Sequence, residues 1–580
     1  MRIRSLYILL VVLLCTSVDA TAQRKKAKQP PARQKKTAVA KKKASPAAAK
    51  AKQKPNAKET IIVRDTVIKG ATIEIIQSYK PEIRSTPKPE LTANLPPVDT
   101  SVPAMNYVVP QQTLSYNYTS FPLRPLALGT DSINTPFANY VKIGGGNLST
   151  LLLDAGIGSL RGDGYESNIQ LRHLSQSGDI TNQKSSLTNL DADGTLHSNG
   201  NAWHAALGVL RNQYNYYGYD HSIYDPVRDS VKQAFTGVSL QLDMKNELQM
   251  IDGLDYHPTV GLQLYGDRFD ASERSVNFSV PVTYTIDTNL QVALGINGNF
   301  TQFVNASVSQ GNNVFQLAPA LLFRQNGLQA HIGINPTLGK GNSYLLPDIT
   351  ASYNVPNSQF AIHAGWQANL RQNTYQSLST LNPYMLNAYT LSQTRADEVY
   401  VGLQTNVGQH LTINGRVSWW QYNYLPLFVN DTLTDSKQFN VLYDSKVNAI
   451  SVQAAARYQV ANTFALGLAG TWFNFYSHTF DEVWHEPAIK LKADLMVKPT
   501  PALTITAYLS VMDQIYALTQ SGQADKLNAI VDLGAGAEYQ LIPRLSLFLQ
   551  VNNLLNSKNE RWLGYQAYGL NVFGGLRFKF

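Results

Sequence analysis

Along residues 543–580 apolar and polar side chains change places at every step. Leu545, Leu547, Leu549 and Val551 share one face of an extended segment, and Ser546, Phe548, Gln550 and Asn552 share the other. After a short loop, Leu570, Val572, Leu576, Phe578 and Phe580 share one face; Asn571, Arg577 and Lys579 share the other, with glycines at 574 and 575. A period of two is that of a strand lying between two environments. A terminal strand of this kind must be paired, or it leaves a raw edge. A closed barrel with lipid outside and water inside satisfies that demand.

From about residue 138 the alternation recurs to the end of the chain. Leu290, Val292, Leu294, Ile296 and Phe300 oppose Gln291, Asn297 and Asn299. Leu411, Ile413, Val417 and Trp419 oppose Thr412, Asn414, Arg416 and Ser418. Ile489, Leu491, Leu495 and Val497 oppose Lys490, Lys492 and Asp494. Arg416, Lys490, Lys492 and Asp494 are thereby expected to face the lumen. On the lipid face at mid-membrane a Lys or Arg costs about 2–4 kcal/mol.

The connections alternate in length. Short turns are expected at 199–202, 285–290, 324–328, 354–358, 407–411, 459–463, 499–502 and 541–545. Longer polar or aromatic stretches lie at 301–312, 371–397, 423–446, 476–487, 513–530 and 554–568. Short turns on one side and long loops on the other mark an outer-membrane barrel. The segments predict an all-β, transmembrane, antiparallel β-barrel of about 22 strands over 138–580, with 14–20 as alternatives.

Composition sharpens this picture. Charged residues make up only 15% of the 580, aromatics reach 10%, and there are 31 Tyr. That balance suits strands with an apolar face, an uncharged polar face and aromatic girdles. The net charge of +9 belongs to a tail, because residues 24–58 hold 14 Lys/Arg and no acid. The remainder is net negative, which removes the main support for nucleic-acid binding. The one cysteine, Cys15, falls in the leader, so thiol chemistry is not expected of the body.

Residues 1–22 read as a signal peptide: Arg2 and Arg4, an apolar run, then Ala20-Thr21-Ala22. Residues 23–58, rich in Lys, Ala and Pro, cannot bury a core and are expected to be a disordered tail. It is a solvated linker or a contact for a periplasmic partner or an anionic envelope polymer. Residues 59–137 hold short β-branched stretches and then Pro-rich runs such as KPEIRSTPKPE. They read as a periplasmic strap or partial lumen insert.

Candidate chemistry is sparse. Asp191-Ala192-Asp193-Gly194 lacks the closing Glu of a calcium loop and reads as a turn. Asp255-Tyr256-His257 and His485-Glu486 are close acid–His neighbours, and no hydrolase, zinc or P-loop motif accompanies them. No enzyme, cofactor or metal is expected. Trp419, Trp472, Trp562, Tyr565 and Tyr568 lie near strand ends and are expected to form an interfacial belt in the lipid bilayer. Gly144-Gly145-Gly146 is expected to let a strand bend or another backbone approach.

The ending LQVNNLLNSKNERWLGYQAYGLNVFGGLRFKF resembles the last two strands of TonB-dependent receptors. Asn553, Leu554, Leu555, Asn556, Tyr565, Gly569, Phe573 and Phe580 carry the match. The segment SYKPEIRSTPKP resembles the leader strap of a TonB-receptor-like barrel family of Bacteroidota. The resemblance implies a cell outer-membrane barrel acting as a channel or transporter for polar solutes. The globular plug of that family is not recognisable in 59–137. The alternative is therefore a non-conducting structural or accessory barrel of an envelope assembly.

Overall fold

The computed structural model describes residues 139–247, 253–386, 390–431 and 435–580. The expected leader at 1–22, tail at 23–58 and strap at 59–137 lie outside them.

The described chain is an antiparallel sheet closed on itself. Twenty-three ladder segments run from Tyr140–Gly146 to Asn571–Lys579. Two of them, Leu254–Tyr256 and Thr259–Asp267, are halves of one strand interrupted at His257-Pro258, so the barrel has 22 strands. Proline has no N–H to give the ladder and is tolerated at such a break. The carbonyl of Pro258 still accepts from Met244 N–H at 3.0 Å. The ring closes where the first strand pairs the last, from Tyr140↔Lys579 to Gly146↔Phe573.

The alternation has the consequence expected of it. In the closing strand Leu576 and Phe578 stand 49% and 46% exposed, and Phe580 follows at 50%. In the first strand Ile143 is 54% exposed on the same side of the pairing, opposite Leu576. Val572 is half-buried, and Leu570 is exposed just before the strand begins. Exposed apolar residues of this kind recur on strand after strand. A closed ring that presents such a girdle belongs in a bilayer, where no edge is left unpaired. The protein is a cell outer-membrane β-barrel.

The glycine run lies on the seam. Gly144 and Gly145 face Gly575 and Gly574. A Cβ on Gly144 would come within 2.6 Å of the Phe548 ring, and one on Gly575 within 1.9 Å of the Ile143 carbonyl. Bare backbone here lets the final strands close tightly. The Phe548 ring fills the space, with Lys142 Nζ 4.0 Å from its centroid.

Two expectations need correction. Residues 301–312 are not a long loop: the strands Leu290–Val304 and Ser309–Gln325 extend through them and leave four residues between. Asp191-Ala192-Asp193-Gly194 is not a turn but the middle of the strand Lys184–Ser198, paired on both sides. Asp-Gly is a turn signal only where alternation stops, and here Leu190 and Leu196 continue it.

Candidate functional site

The wall has a polar face opposite the apolar girdle. Arg416 and Lys490 sit in one cross-strand row, through Gln453 and Thr471. The next row, through Val417, Val452, Trp472 and Ile489, belongs to the other face. Arg416 is ion-paired with Glu398 and lies 3.5 Å over the Tyr400 ring. Lys490 pairs with Glu486 at 2.5 Å. Lys492 and Asp494 follow on the same face, opposite the exposed Leu491. Asp494 folds over Gly467, whose missing Cβ would lie 2.3 Å from Oδ1.

Sequence reasoning did not single out the polar rows that tie this face together. Ser279 donates to Asn297 (2.7 Å), Asn297 to Gln316 (3.2 Å) and Gln316 to Thr337 (3.1 Å) across four strands. Asp348 holds His331 at 3.1 Å and Gln367 at 2.9 Å. Asp243 holds both His204 (2.8 Å) and His257 (3.2 Å). His257 is thus engaged with Asp243 rather than with its sequence neighbour Asp255. Among the described residues no group of three His, Cys, Asp or Glu could hold a metal ion.

Above the wall the long loops pack on one another. Numbering the strands from Tyr140, every long loop follows an odd strand, and the even strands end mostly in short turns. Residues 216–231 follow the fifth strand, 373–392 the thirteenth and 553–570 the twenty-first. Around a ring of 22 these three points are eight, eight and six strands apart. Yet Tyr217, Tyr384 and Tyr565, one from each loop, touch. The rings of Tyr384 and Tyr565 stack with centroids 3.5 Å apart, and Tyr217 meets them edge-on at 6.1 and 4.8 Å. Loops rooted so evenly around a rim meet only by reaching across the opening. The mouth is therefore capped.

The cap has its own core. Tyr214, Phe235, Tyr265, Phe303, Tyr375, Leu378, Met385, Phe428, Phe439, Trp562 and Tyr565 form one buried cluster. Burial pushes the Tyr384 and Tyr565 hydroxyls well above their ordinary range, so both are neutral donors. Tyr565 donates to the Lys437 carbonyl and Tyr217 to that of Gln566 at 2.8 Å. A short helix, Tyr375–Leu381, sits on the rim with its first amides on Glu273: Tyr375 N at 2.5 Å and Gln376 N at 3.2 Å. A carboxylate at a helix start satisfies otherwise orphaned donors.

His485 lies inside this core, 1% exposed, against Trp562 and Phe439. Its Nδ1 donates to the Phe428 carbonyl at 2.8 Å, so Nε2 is the acceptor for Leu563 N–H at 3.4 Å. Burial pulls its pKa down to about 4, and the nearby Arg561 adds to this. A neutral ring with both nitrogens engaged and no water access is a packing element, not a general base.

The expected aromatic belt divides. Trp419 and Trp472 stand 39% and 43% exposed on the girdle side, and Trp419 Nε1 donates to Tyr476 at 2.6 Å. Trp562 and Tyr565 are buried in the cap, and half-buried Tyr568 donates to Ser185 at 3.0 Å within it. These three are not belt residues. Tertiary partners far along the chain bury them, which position near a strand end does not reveal.

In fold the chain is similar to solved outer-membrane receptors and a transporter. It overlays the FrpB iron transporter of Neisseria meningitidis (F3-3 variant) with a TM-score of 0.61 at 11% identity, covering 77% of this chain and 82% of that one. It overlays the pyoverdine receptor FpvA of Pseudomonas aeruginosa PAO1, bound to pyoverdine, with a TM-score of 0.58 at 11% identity, covering 77% and 79%. The siderophore receptor PiuA of Acinetobacter baumannii gives 0.56 at 10% identity over 76% and 82%. No protein-family model and no curated protein matches the sequence.

Proposed function

We propose that the protein is a TonB-dependent-receptor-like transporter that admits a polar solute through a mouth that its loops can shut. The observation carrying this reading is the cap: three loops rooted around the rim close over a wall rich in Asn, Gln, Ser, Thr and paired charges. Arg416, Lys490, Lys492 and Asp494 line the lumen in this reading, and an uptake barrel gains from a closed mouth because an open lumen of this width leaks. Residues 59–137, which precede the barrel in the chain, are proposed to be a Pro-rich periplasmic strap or partial lumen insert. The similarity of fold to receptors and a transporter supports the reading.

The test is solute flux. Liposomes holding the purified chain should be tight to small sugars, and liposomes holding a variant lacking 558–567 should swell in them. If the deleted form is as tight as the parent, and stays tight when residues 59–137 are removed as well, transport is the wrong reading. The second reading, a structural or accessory barrel, is favoured by the same packed cap. It predicts a stoichiometric envelope partner that is lost when residues 23–58 are removed.

A further inference from the structure

We infer that the last long loop, 553–570, is the latch of the mouth, with Tyr565 as its bolt and Gly218 as its socket. The inference rests on the transport reading and adds which element opens.

The loops of the cap are not held alike. Loop 373–392 is tied to the barrel wall by carboxylates: Glu273 takes two helix amides, and Asp267 takes the Tyr375 hydroxyl at 2.8 Å. Loop 424–446 is a hairpin, Leu425–Asn430 with Phe439–Asp444, and the fully buried Asp444 accepts from Thr479 N–H at 2.9 Å and Phe480 N–H at 3.4 Å. Hydrogen bonds to ionised carboxylates are the strong ones. Loop 553–570 is anchored differently. At its base Asn553 bonds within the loop, to Tyr568 O at 2.8 Å and Ser557 O at 2.7 Å. Glu560 accepts from Gly564 of the same loop at 2.7 Å. Toward the rest of the cap it offers aromatic faces, backbone carbonyls and side-chain donors: Arg561 to the His485 carbonyl, Asn559 to that of Ala529 at 2.5 Å, and Lys558 to Asp179 in the 178–183 turn at 3.2 Å. Asn430 and Gln183 donate to Leu563 O and Gln566 O at 3.2 and 3.0 Å. Among the described residues no carboxylate of the barrel wall holds it.

The seat of Tyr565 is shaped by an absence. A Cβ on Gly218 would fall 2.3 Å from the Tyr565 ring, and one on Gly564 would fall 2.9 Å from the Gly218 carbonyl. Gly564 has φ +88, a conformation that glycine adopts without strain. Two bare residues on two loops therefore let the ring slide under Tyr384 and Tyr217. Lifting this one loop removes the shared partner of Tyr217, Tyr384, Phe439 and, through Trp562, of Phe428 and His485. What is lost is the span from the twenty-first strand: loops 373–392 and 424–446 stay joined through Phe439 N–H on the Tyr384 carbonyl at 3.0 Å, and Tyr217 keeps its edge contact with Tyr384.

Single-channel recording of the full chain in planar bilayers tests this, with heat-dependent gel migration reporting that each variant is folded. Tyr565→Ala should raise the open fraction at least tenfold. Gly218→Ala, which leaves Tyr565 itself intact, should do the same by blocking its seat. Tyr565→Phe keeps the stacked ring and should stay shut. Folded Tyr565→Ala and Gly218→Ala channels that stay shut, while the form lacking 558–567 conducts, would overturn the latch and leave transport standing. If the deleted form is silent as well, even with residues 59–137 removed, both ideas fall. Equal opening by Tyr565→Phe would also overturn the latch, since the stack would then not be what holds it.

Discussion

The wall and the cap use the same residue types for opposite ends. Along the wall Trp419, Trp472 and Tyr476 stand exposed at 39–49% on a girdle made for lipid, each position fixed by strand parity. In the cap Tyr217, Trp562 and Tyr565 are buried at 4–7% among partners hundreds of residues away. A strand side chain has its environment assigned by its neighbours at i±2. A loop side chain has it assigned by whichever loop reaches it. The wall is thus a local object repeated around a ring, and the cap is a single tertiary object assembled once.

Placing charge on the two sides of the wall should give the largest contrast. Leu262→Arg on the girdle is expected to cost about 2–4 kcal/mol, and Gln263→Arg on the opposite face close to nothing. Urea refolding into lipid vesicles measures both, and equal costs would remove the two-sided wall.

Acid should separate the two regions next. The folded-state pKa of His485 is depressed to about 4 from an ordinary 6.5, so its contribution is fully present above pH ~6.5 and is lost as pH falls through about 4. The cap should weaken by roughly 3 kcal/mol over that window, as one pKa unit is about 1.4 kcal/mol. Trp562 fluorescence should report loosening while the strand signal in circular dichroism holds. A His485→Phe variant should lose the acid step; if it keeps it, another group is responsible.

At the seam, Gly575→Ala would drive a methyl into the Ile143 carbonyl and should cost about 1–3 kcal/mol, as overpacking does. Gly522→Ala, in open space but at φ +78, should cost less, about 1 kcal/mol of backbone strain. The smallest effect is expected at the rim, where the exposed pair Lys558–Asp179 should contribute under ~1 kcal/mol.

This contrast also explains what the sequence alone revealed. Most of the barrel strands were legible because they repeat one binary pattern and are bounded by turn residues, but Asp193-Gly194 gave a turn signal inside the strand Lys184–Ser198. Leu290–Val304 runs past its expected end because Thr301, Gln302 and Phe303 keep pairing with Asn312, Gly311 and Gln310, a fact of register rather than of composition. The cap was not legible. An aromatic beside a strand end looks the same whether lipid or Tyr384 covers it, and only the fold brings residue 217 to residue 565. His485 stood out in the sequence only as the neighbour of Glu486, whereas its neighbours in space are Phe428, Phe439 and Trp562.

The most direct test of a shut mouth is access to the wall from outside. Cys15 is the only cysteine in the chain, so a thiol placed at Thr506, opposite the exposed Ile505, is a clean probe. Whole cells bearing Thr506→Cys should resist a bulky, membrane-impermeant maleimide, and the same cysteine should label readily once 558–567 are removed. Rapid labelling with the loops intact would contradict the account.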